Sequence, residues 1–295
     1  MHSYTIVVAV FTLLLVSAGA LVTSNDAGLS VPDWPLSYGK LMPRMEGGVM
    51  YEHGHRMIAT TVGLLTIILA VWLWRREARR WLRWLGVAAL LSVIIQGILG
   101  GMTVVYLLPA PISVSHATLA QLFFTTTVAI ALFTSSGWKR GPAPVDDAGW
   151  PSIHRLAIAA PHFALLQLIL GAAHRHQAMS LVPHLVGAVV AAGVLVWASV
   201  LVLMRFAGHA SLRRTASVVL AATFSQVFLG IFAYMGRIAS IEAAKPVLAM
   251  VVFTVLHVAV GALTLAFSTL LAIQVRRHVR RARKELVPSG APVIA

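Results

Sequence analysis

Cysteine is absent from all 295 residues. That excludes disulfides, thiolate metal sites, iron–sulfur clusters and cysteine nucleophiles. Charge is scarce as well: Asp, Glu, Lys and Arg together make up 11% of the chain, and only nine residues are acidic. A soluble domain carries about 25% charged residues to cover its surface, so composition points to a membrane. Any metal is left to His, Met or carboxylate. The chain holds 12 His although 59% of it is hydrophobic.

A helix that crosses the hydrocarbon core needs about 20 apolar residues. Eight runs qualify: Tyr4–Val22, Met57–Trp74, Trp84–Leu107, Ile112–Phe133, Leu156–Ala173, Pro183–Met204, Thr215–Met235 and Val247–Val275. The sequence therefore predicts an all-α membrane protein with eight transmembrane helices and membrane lipid as its surroundings. The N-terminus enters its apolar run without a basic segment and without a clear small-residue cleavage site. It is expected to be a retained first helix, not a removed signal peptide. With no Arg/Ser-rich transit segment, a bacterial or archaeal membrane is expected.

The net charge of +14 would suit a nucleic-acid partner. The placement of the charges argues against one. Arg75, Arg76, Arg79, Arg80 and Arg83 follow the second run; Lys139, Arg140 and Arg155 follow the fourth; Arg205, Arg213 and Arg214 follow the sixth. Arg276, Arg277, Arg280, Arg281, Arg283 and Lys284 follow the last. The opposite side has only Lys40, Arg44, Arg56, Arg175, Arg237 and Lys245. Basic residues gather on the cytoplasmic side, so both termini are expected in the cytoplasm and the chain in the cell (inner) membrane.

The chain also repeats. Gln-x-x-Leu-Gly occurs at Gln96–Gly100, Gln167–Gly171 and Gln226–Gly230, in the third, fifth and seventh runs. Histidines recur in the even-numbered runs, His55 and His184 in the second and sixth, His116 and His257 in the fourth and eighth. The pattern predicts two pseudo-symmetric four-helix bundles related by an axis along the membrane normal. The N-terminal half would be residues 1–141, a cytoplasmic linker 142–152, and the C-terminal half 153–295 with a basic tail. Gly97-x-x-x-Gly101 suits a helix contact within or between chains, which leaves a homo-oligomer open.

An ionisable group inside a bilayer is costly, so each is a functional candidate. One buried His is readily explained by a hydrogen bond to a neighbouring helix. Four at matched positions point instead to metal, and two imidazoles from facing helices make an iron–porphyrin site. The pairs are His55 with His116 and His184 with His257. Zinc would want three or four ligands at one point. The residue four after each His is small (Ala59, Ala120, Ala188, Gly261), which suits a flat ring lying beside its axial ligand.

The halves differ. Glu52 shares a helix face with His55, and Arg56 follows; Leu181 and Leu185 stand at the matched places around His184. Glu52 is an acid/base or charge-stabilising candidate, or a carboxylate that complements a helix dipole. Arg56 suits a haem propionate or the lipid headgroups. His53, His174 and His176, with Arg175, are expected at the outer surface, possible propionate partners. His162 reads as a packing hydrogen bond, and His2, His154, His209 and His278 as residues without a special role. The long first outer loop, about residues 23–55, is where function is expected to gather.

At these residues the chain resembles the haem A synthase family. The resemblance rests on Ala27-Gly28-Leu29-Ser30-Val31-Pro32-Asp33-Trp34-Pro35, on Glu52-x-x-His55-Arg56, on Gln96-Gly97-x-Leu99-Gly100-Gly101-Met102-Thr103-Val104, and on His116-x-x-Leu119-Ala120. It implies oxidation of a ring methyl of haem O, through an alcohol, to the formyl group of haem A. It implies that His55 and His116 flank the substrate haem O, that His184 and His257 ligate a resident haem b, and that Glu52 is the catalytic carboxylate. A haem O synthase and an electron-transfer partner are implied as partners. Two features depart from the family's pattern. Many members carry a cysteine pair in the first outer loop, where Ser37 stands here. Many also carry an Arg at the end of the first helix, where this chain reads Val22-Thr23-Ser24-Asn25-Asp26.

Two other readings explain four histidines: a non-catalytic di-haem cytochrome and a haem carrier. The cytochrome does not account for a carboxylate and an arginine beside one pair only; lability of the first haem alone would suit the carrier.

Overall fold

The computed structural model describes residues 1–241 and 246–281. Lys245 and most of the basic tail, including Arg283 and Lys284, lie outside the described residues. Eight long helices carry the fold: α1 (His2–Ser24), α2 (Gly48–Arg76), α3 (Arg80–Val105), α4 (Ala110–Thr134), α6 (Ile153–Arg175), α7 (Leu181–Arg205), α8 (Ala210–Ala239) and α9 (Leu248–His278). A single turn, α5 (Ser136–Lys139), follows α4, and two short strands, β1 (Val145–Asp147) and β2 (Val279–Arg281), complete the described elements. All eight long helices are long and apolar enough to cross a membrane. The shortest, α1 and α6, have 23 residues each, about 35 Å at 1.5 Å per residue. The chain is an all-α, multi-pass membrane protein.

Helices satisfy their own backbone, which is why the apolar runs take this form in lipid. Side chains such as Leu64 (59% exposed) and Val189 (76% exposed) face outward, where a soluble protein would be polar. Inside, small residues let the helices approach: Ala89 in the first four helices, and Ala157, Ala160, Ala198 and Ala216 in the second four, are fully or almost fully buried.

Every expected span falls largely within an observed helix. The largest difference is α2, which starts at Gly48 and not at Met57. Glu52, His53, His55 and Arg56 are therefore helical, not part of an outer loop. The polar side chains of Glu52, His53 and Arg56 tolerate this because the preceding segment, 25–47, folds over them and supplies hydrogen-bond partners.

In the first set of four, α1 packs against α2 and α4, and α3 against the same two helices. In the second, α6 packs against α7 and α9, and α8 against the same two. The seam between the sets is made by α9 against α1 and α4, with α4 also touching α6. Val16, Phe124, Ala262 and Ala266 are buried there.

Residues 142–152 are docked, not free. β1 pairs in parallel with β2. The amide of Ala143 donates to Nδ1 of His278 at 2.9 Å, and the Ala143 carbonyl lies 3.2 Å from Nε2 of His209. Arg205 binds the carbonyls of Trp150 and Pro151 and pairs with Asp147. His209 and His278, unassigned by sequence, thus tie this segment to the second set.

Candidate functional site

Each of the four histidines sits within three turns of its helix start: His55 on α2, His116 on α4, His184 on α7 and His257 on α9. Each ring rests against a glycine of the preceding long helix. A Cβ on Gly171 would stand 2.9 Å from Cε1 of His184. One on Gly230 would stand 3.1 Å from Cε1 of His257. The matching distance is 3.2 Å for Gly19 with His55 and for Gly100 with His116. Those values are at or inside the limit of ordinary carbon contact, so a side chain here would displace the ring.

The rings of His184 and His257 face one another across the second set, with centroids 6.3 Å apart and planes at 83°. Two imidazoles on one metal ion, each at a metal–nitrogen distance of about 2 Å, place their centroids about 6 Å apart. His55 and His116 stand on α2 and α4 of the first set, each with its ring against α1 or α3. Nδ1 of His55, His116 and His257 is buried without a hydrogen-bond partner. Among the described residues, no group of three His, Asp or Glu converges as a metal site. Two facing imidazoles without a third ligand suit a metal that brings its own equatorial donors, as an iron porphyrin does, and the residues present fit that group.

Around His55 alone there is an ionic network. Glu52 is 4% exposed. Its Oε1 accepts from Nη2 of Arg56 at 2.6 Å, and its Oε2 accepts from the amide of Val31 at 2.9 Å. Nη1 of Arg56 donates to the carbonyls of Asp33 and Leu36, both at 2.8 Å. Ser37 is fully buried and its Oγ lies 2.8 Å from Nδ1 of His53. Asp33 accepts from the amides of Tyr38 and Gly39. The Gly39 amide is the main reason its carboxyl is held below the usual carboxylate range, with Tyr38 and the nearby Arg56 adding to it. Trp34 lies over Gly101 of α3, where a Cβ would meet the indole at 2.7 Å. The segment 25–47 is thereby sewn to α2 and α3 over the His55 side of the first set.

Several expectations change. Nη1 of Arg56 holds two loop carbonyls and its Nη2 holds Glu52, partners that its sequence position did not announce. His53 is buried beneath the loop and not at the outer surface. Gly101 of Gly97-x-x-x-Gly101 receives Trp34, while a Cβ on Gly97 would meet nothing within 4 Å; the pair is not a helix–helix seam among the described residues. The space at Gly261 is filled by Nε2 of Gln226 and Cδ2 of Leu168, so it serves a side chain and not a porphyrin face. His162 contacts the carbonyl of Ile158 on its own helix at 2.8 Å and makes no interhelical bond.

Arg175, at the end of α6, donates to Ser24 Oγ at the end of α1 at 2.8 Å and so bridges the two sets. His176 beside it is partly buried, which pushes its pKa down, and the Arg175 charge pushes it further. His174 is half-buried, with Nδ1 3.4 Å from the Met179 carbonyl. Sequence reasoning missed Val31, Ser37 and Gly19. Gly19 had a readable signal, since it stands four residues after Leu15 as Gly100 stands four after Gln96. The Val31 amide and the Ser37 hydroxyl had none, because only the fold of the loop makes them partners.

Residues 2–49 and 48–183 match the family described as cytochrome oxidase assembly protein, COX15-CtaA. The chain belongs to that family. The matched stretch holds Glu52, His55, Arg56 and His116 and stops one residue before His184. Curated relatives are all called haem A synthase in the cases that follow. One from Halalkalibacterium halodurans is 30% identical over 164 residues, 52% of this chain and 53% of the relative. One from Symbiobacterium thermophilum is 30% identical over 178 residues, 57% of each. One from Roseobacter denitrificans is 34% identical over 125 residues, 38% of this chain and 32% of the relative. The chain spans about half the length of the curated relatives it matches most extensively.

Proposed function

We propose that this chain is a haem A synthase, an oxidoreductase that converts a ring methyl of haem O to the formyl group of haem A for terminal-oxidase biogenesis. Family membership and the names of the relatives support the reading. The observation that carries it is the one-sided network: a buried carboxylate, an arginine and a fastened loop beside one histidine pair, and leucines at the matching places beside the other.

In this proposal the two sets of helices are duplicated halves with divided work. His55 and His116 hold the substrate haem O in residues 1–141, and His184 and His257 hold haem b in residues 153–295, with 142–152 as the link. When bound, haem b supplies reversible one-electron transfer at its iron. The chain's own residues do the rest. Glu52 places negative charge one helical turn before His55. It keeps the loop closed through Val31 and Arg56, and so excludes water from the site. Both of its oxygens are engaged, so any proton transfer by Glu52 follows release of the Val31 amide or of Arg56. Electrons would pass between the sets where α4 packs against α9, the helices that carry His116 and His257. The cell membrane as location, cytoplasmic termini, a haem O synthase as supplier, an external electron-transfer partner and a homo-oligomer belong to the same proposal. The di-haem cytochrome reading leaves Glu52, Arg56 and the fastened loop without a task.

The test is chromatography of haems from a host that makes haem O and lacks its own haem A synthase. Expression of this chain is expected to yield haem A or its alcohol precursor, and the Glu52→Ala chain neither. Haems B and O alone, from a folded wild-type protein with a b-type spectrum and with redox partners present, would contradict the proposal and favour the cytochrome.

A further inference from the structure

The repeated Gln-x-x-Leu-Gly segments have no part in the reaction just described, yet each meets a histidine of the following helix. Nε2 of Gln96 donates to the main-chain carbonyl of His116 at 2.9 Å. Gln167 does the same to His184 at 3.0 Å, and Gln226 to His257 at 2.8 Å. At His184 the Gln167 amide also lies 2.9 Å from ring Nδ1. One turn on, Gly100, Gly171 and Gly230 are the glycines that receive those rings. The main-chain carbonyls of Gln96, Gln167 and Gln226 lie beside the same rings.

The carboxamides are themselves enclosed. Oε1 of Gln96 and of Gln167 is buried with no hydrogen-bond partner. A Cβ on Gly187 would stand 2.4 Å from Oε1 of Gln167, and one on Gly261 would stand 3.1 Å from Nε2 of Gln226. A buried carboxamide in a membrane helix is costly unless it has a fixed partner. Three at the same register, each on a histidine carbonyl, are a repeated device and not incidental packing.

The fourth histidine has only part of it. Gly19 of α1 receives the His55 ring, and the carbonyl of Leu15 lies beside that ring. Position 15, where the other three hairpins carry glutamine, is an aliphatic leucine. No carboxamide spans from α1 to the His55 carbonyl.

We propose that Gln96, Gln167 and Gln226 are positioning residues. Each fixes the main chain of one axial histidine while the glycine seats its ring against the helix backbone. That contact sets Nδ1 nearer the glycine than Nε2 is and leaves Nε2 for iron. Leu15 makes the α1 cradle incomplete, and His55 is the releasable ligand of the four. Both ligands of the C-terminal pair are anchored, as a resident group requires. In the N-terminal pair one is anchored and one is not, as a haem that must enter and leave requires. The inference rests on the haem reading above.

The experiment uses the purified full chain loaded with haemin, with excess apomyoglobin to capture what is released. Wild type is expected to show a low-spin bis-imidazole spectrum and two release phases. Gln226→Asn keeps the carboxamide but shortens it. It should speed the slow phase about five- to tenfold, the effect of one buried hydrogen bond. It should also alter the low-spin g values and leave the fast phase unchanged. Leu15→Gln should slow the fast phase by a similar factor, and Gln96→Asn should speed it. Unchanged phases and g values in Gln226→Asn and Gln96→Asn would overturn the cradle while leaving haem binding intact. A fast phase in Leu15→Gln equal to wild type would overturn the assignment of His55 as the releasable ligand. Wild type with no low-spin haemin spectrum would overturn the haem reading itself, and the cradle with it.

Discussion

The two sets of four helices use the same means to present a pair of imidazoles and differ in what surrounds the pair. In the second set leucines stand at the places matching Glu52 and Arg56, and Leu185 beside His184 is 54% exposed. The α6–α7 connection spans only residues 176–180. In the first set the segment 25–47 lies over His55, and its contacts converge on Glu52, Arg56 and Ser37. The glycine-seated histidine pair is thus common to both sets, and the polar network is found beside one pair only. In the function proposed above, that one-sided polarity separates a reactive site from a helper site.

The comparison breaks most visibly at Glu52. Removing one partner of a buried ion pair costs about 3–5 kcal/mol. Glu52→Ala is therefore expected to lower the thermal midpoint in detergent strongly. Leu185→Ala, the matched change in the second set, should stay within about 0.5 kcal/mol. Equal effects would erase the distinction between the halves. Glu52→Gln should restore only part of the stability, because it keeps hydrogen-bonding atoms near Val31 and Arg56 but leaves the Arg56 charge uncompensated.

The shared part of the scaffold is probed next. Gly171→Ala forces a methyl to 2.9 Å from the His184 ring and should cost about 1–3 kcal/mol through overpacking. It should also change the low-spin spectrum. Gly193→Ala, on the same set, has nothing within 4 Å of the added carbon. It should be neutral or stabilising by up to about 1 kcal/mol. Thermal melts of the two variants side by side separate a cradle glycine from an ordinary one.

Ser37→Ala comes third. It removes the contact to buried His53 and should cost about 1–2 kcal/mol, the penalty for one unsatisfied buried polar group. Limited proteolysis of 25–47 should rise, with haem release from the second set unchanged.

The smallest effect lies on the opposite side of the first set. Glu77 binds Arg79 through both carboxylate oxygens. That hydrogen bonding holds its pKa at about 2, below the ordinary 4.5. A depressed carboxyl pKa stabilises the fold above 4.5, and that contribution is lost as pH falls through 4.5 towards 2. Wild type should exceed Glu77→Gln by less than about 1 kcal/mol at neutral pH, with the gap closing as pH falls through that window. A gap that widens on acidification would contradict the assignment. The second set closes its corresponding end differently, with Arg205 on Asp147 and on two carbonyls of the linking segment.

The eight spans were legible in the sequence because lipid imposes a length and an apolar composition on any helix that crosses it. The four histidines were legible because their polarity stands out there and their spacing repeats. The start of α2 was not legible: Tyr51 to Arg56 is too polar to read as a span, and becomes helical only under a loop that supplies partners. The loop partners of Arg56 were not legible for the same reason, since the carbonyls of Asp33 and Leu36 come to it through the fold of that loop. Gly261 looked like room for a porphyrin because the reach of Gln226 from α8 is a tertiary fact. The Gln-x-x-Leu-Gly repeat was visible from the start, but its purpose became readable only when the Gln–His carbonyl bonds were in view.

The most direct test of the divided work is the haem retained by two single variants purified from a host that supplies both haem B and haem O. His257→Ala is expected to lose the resident b-type spectrum. His55→Ala is expected to keep it, with low-spin character intact, while forming no haem A. Loss of the resident haem in His55→Ala, with its retention in His257→Ala, would contradict the account.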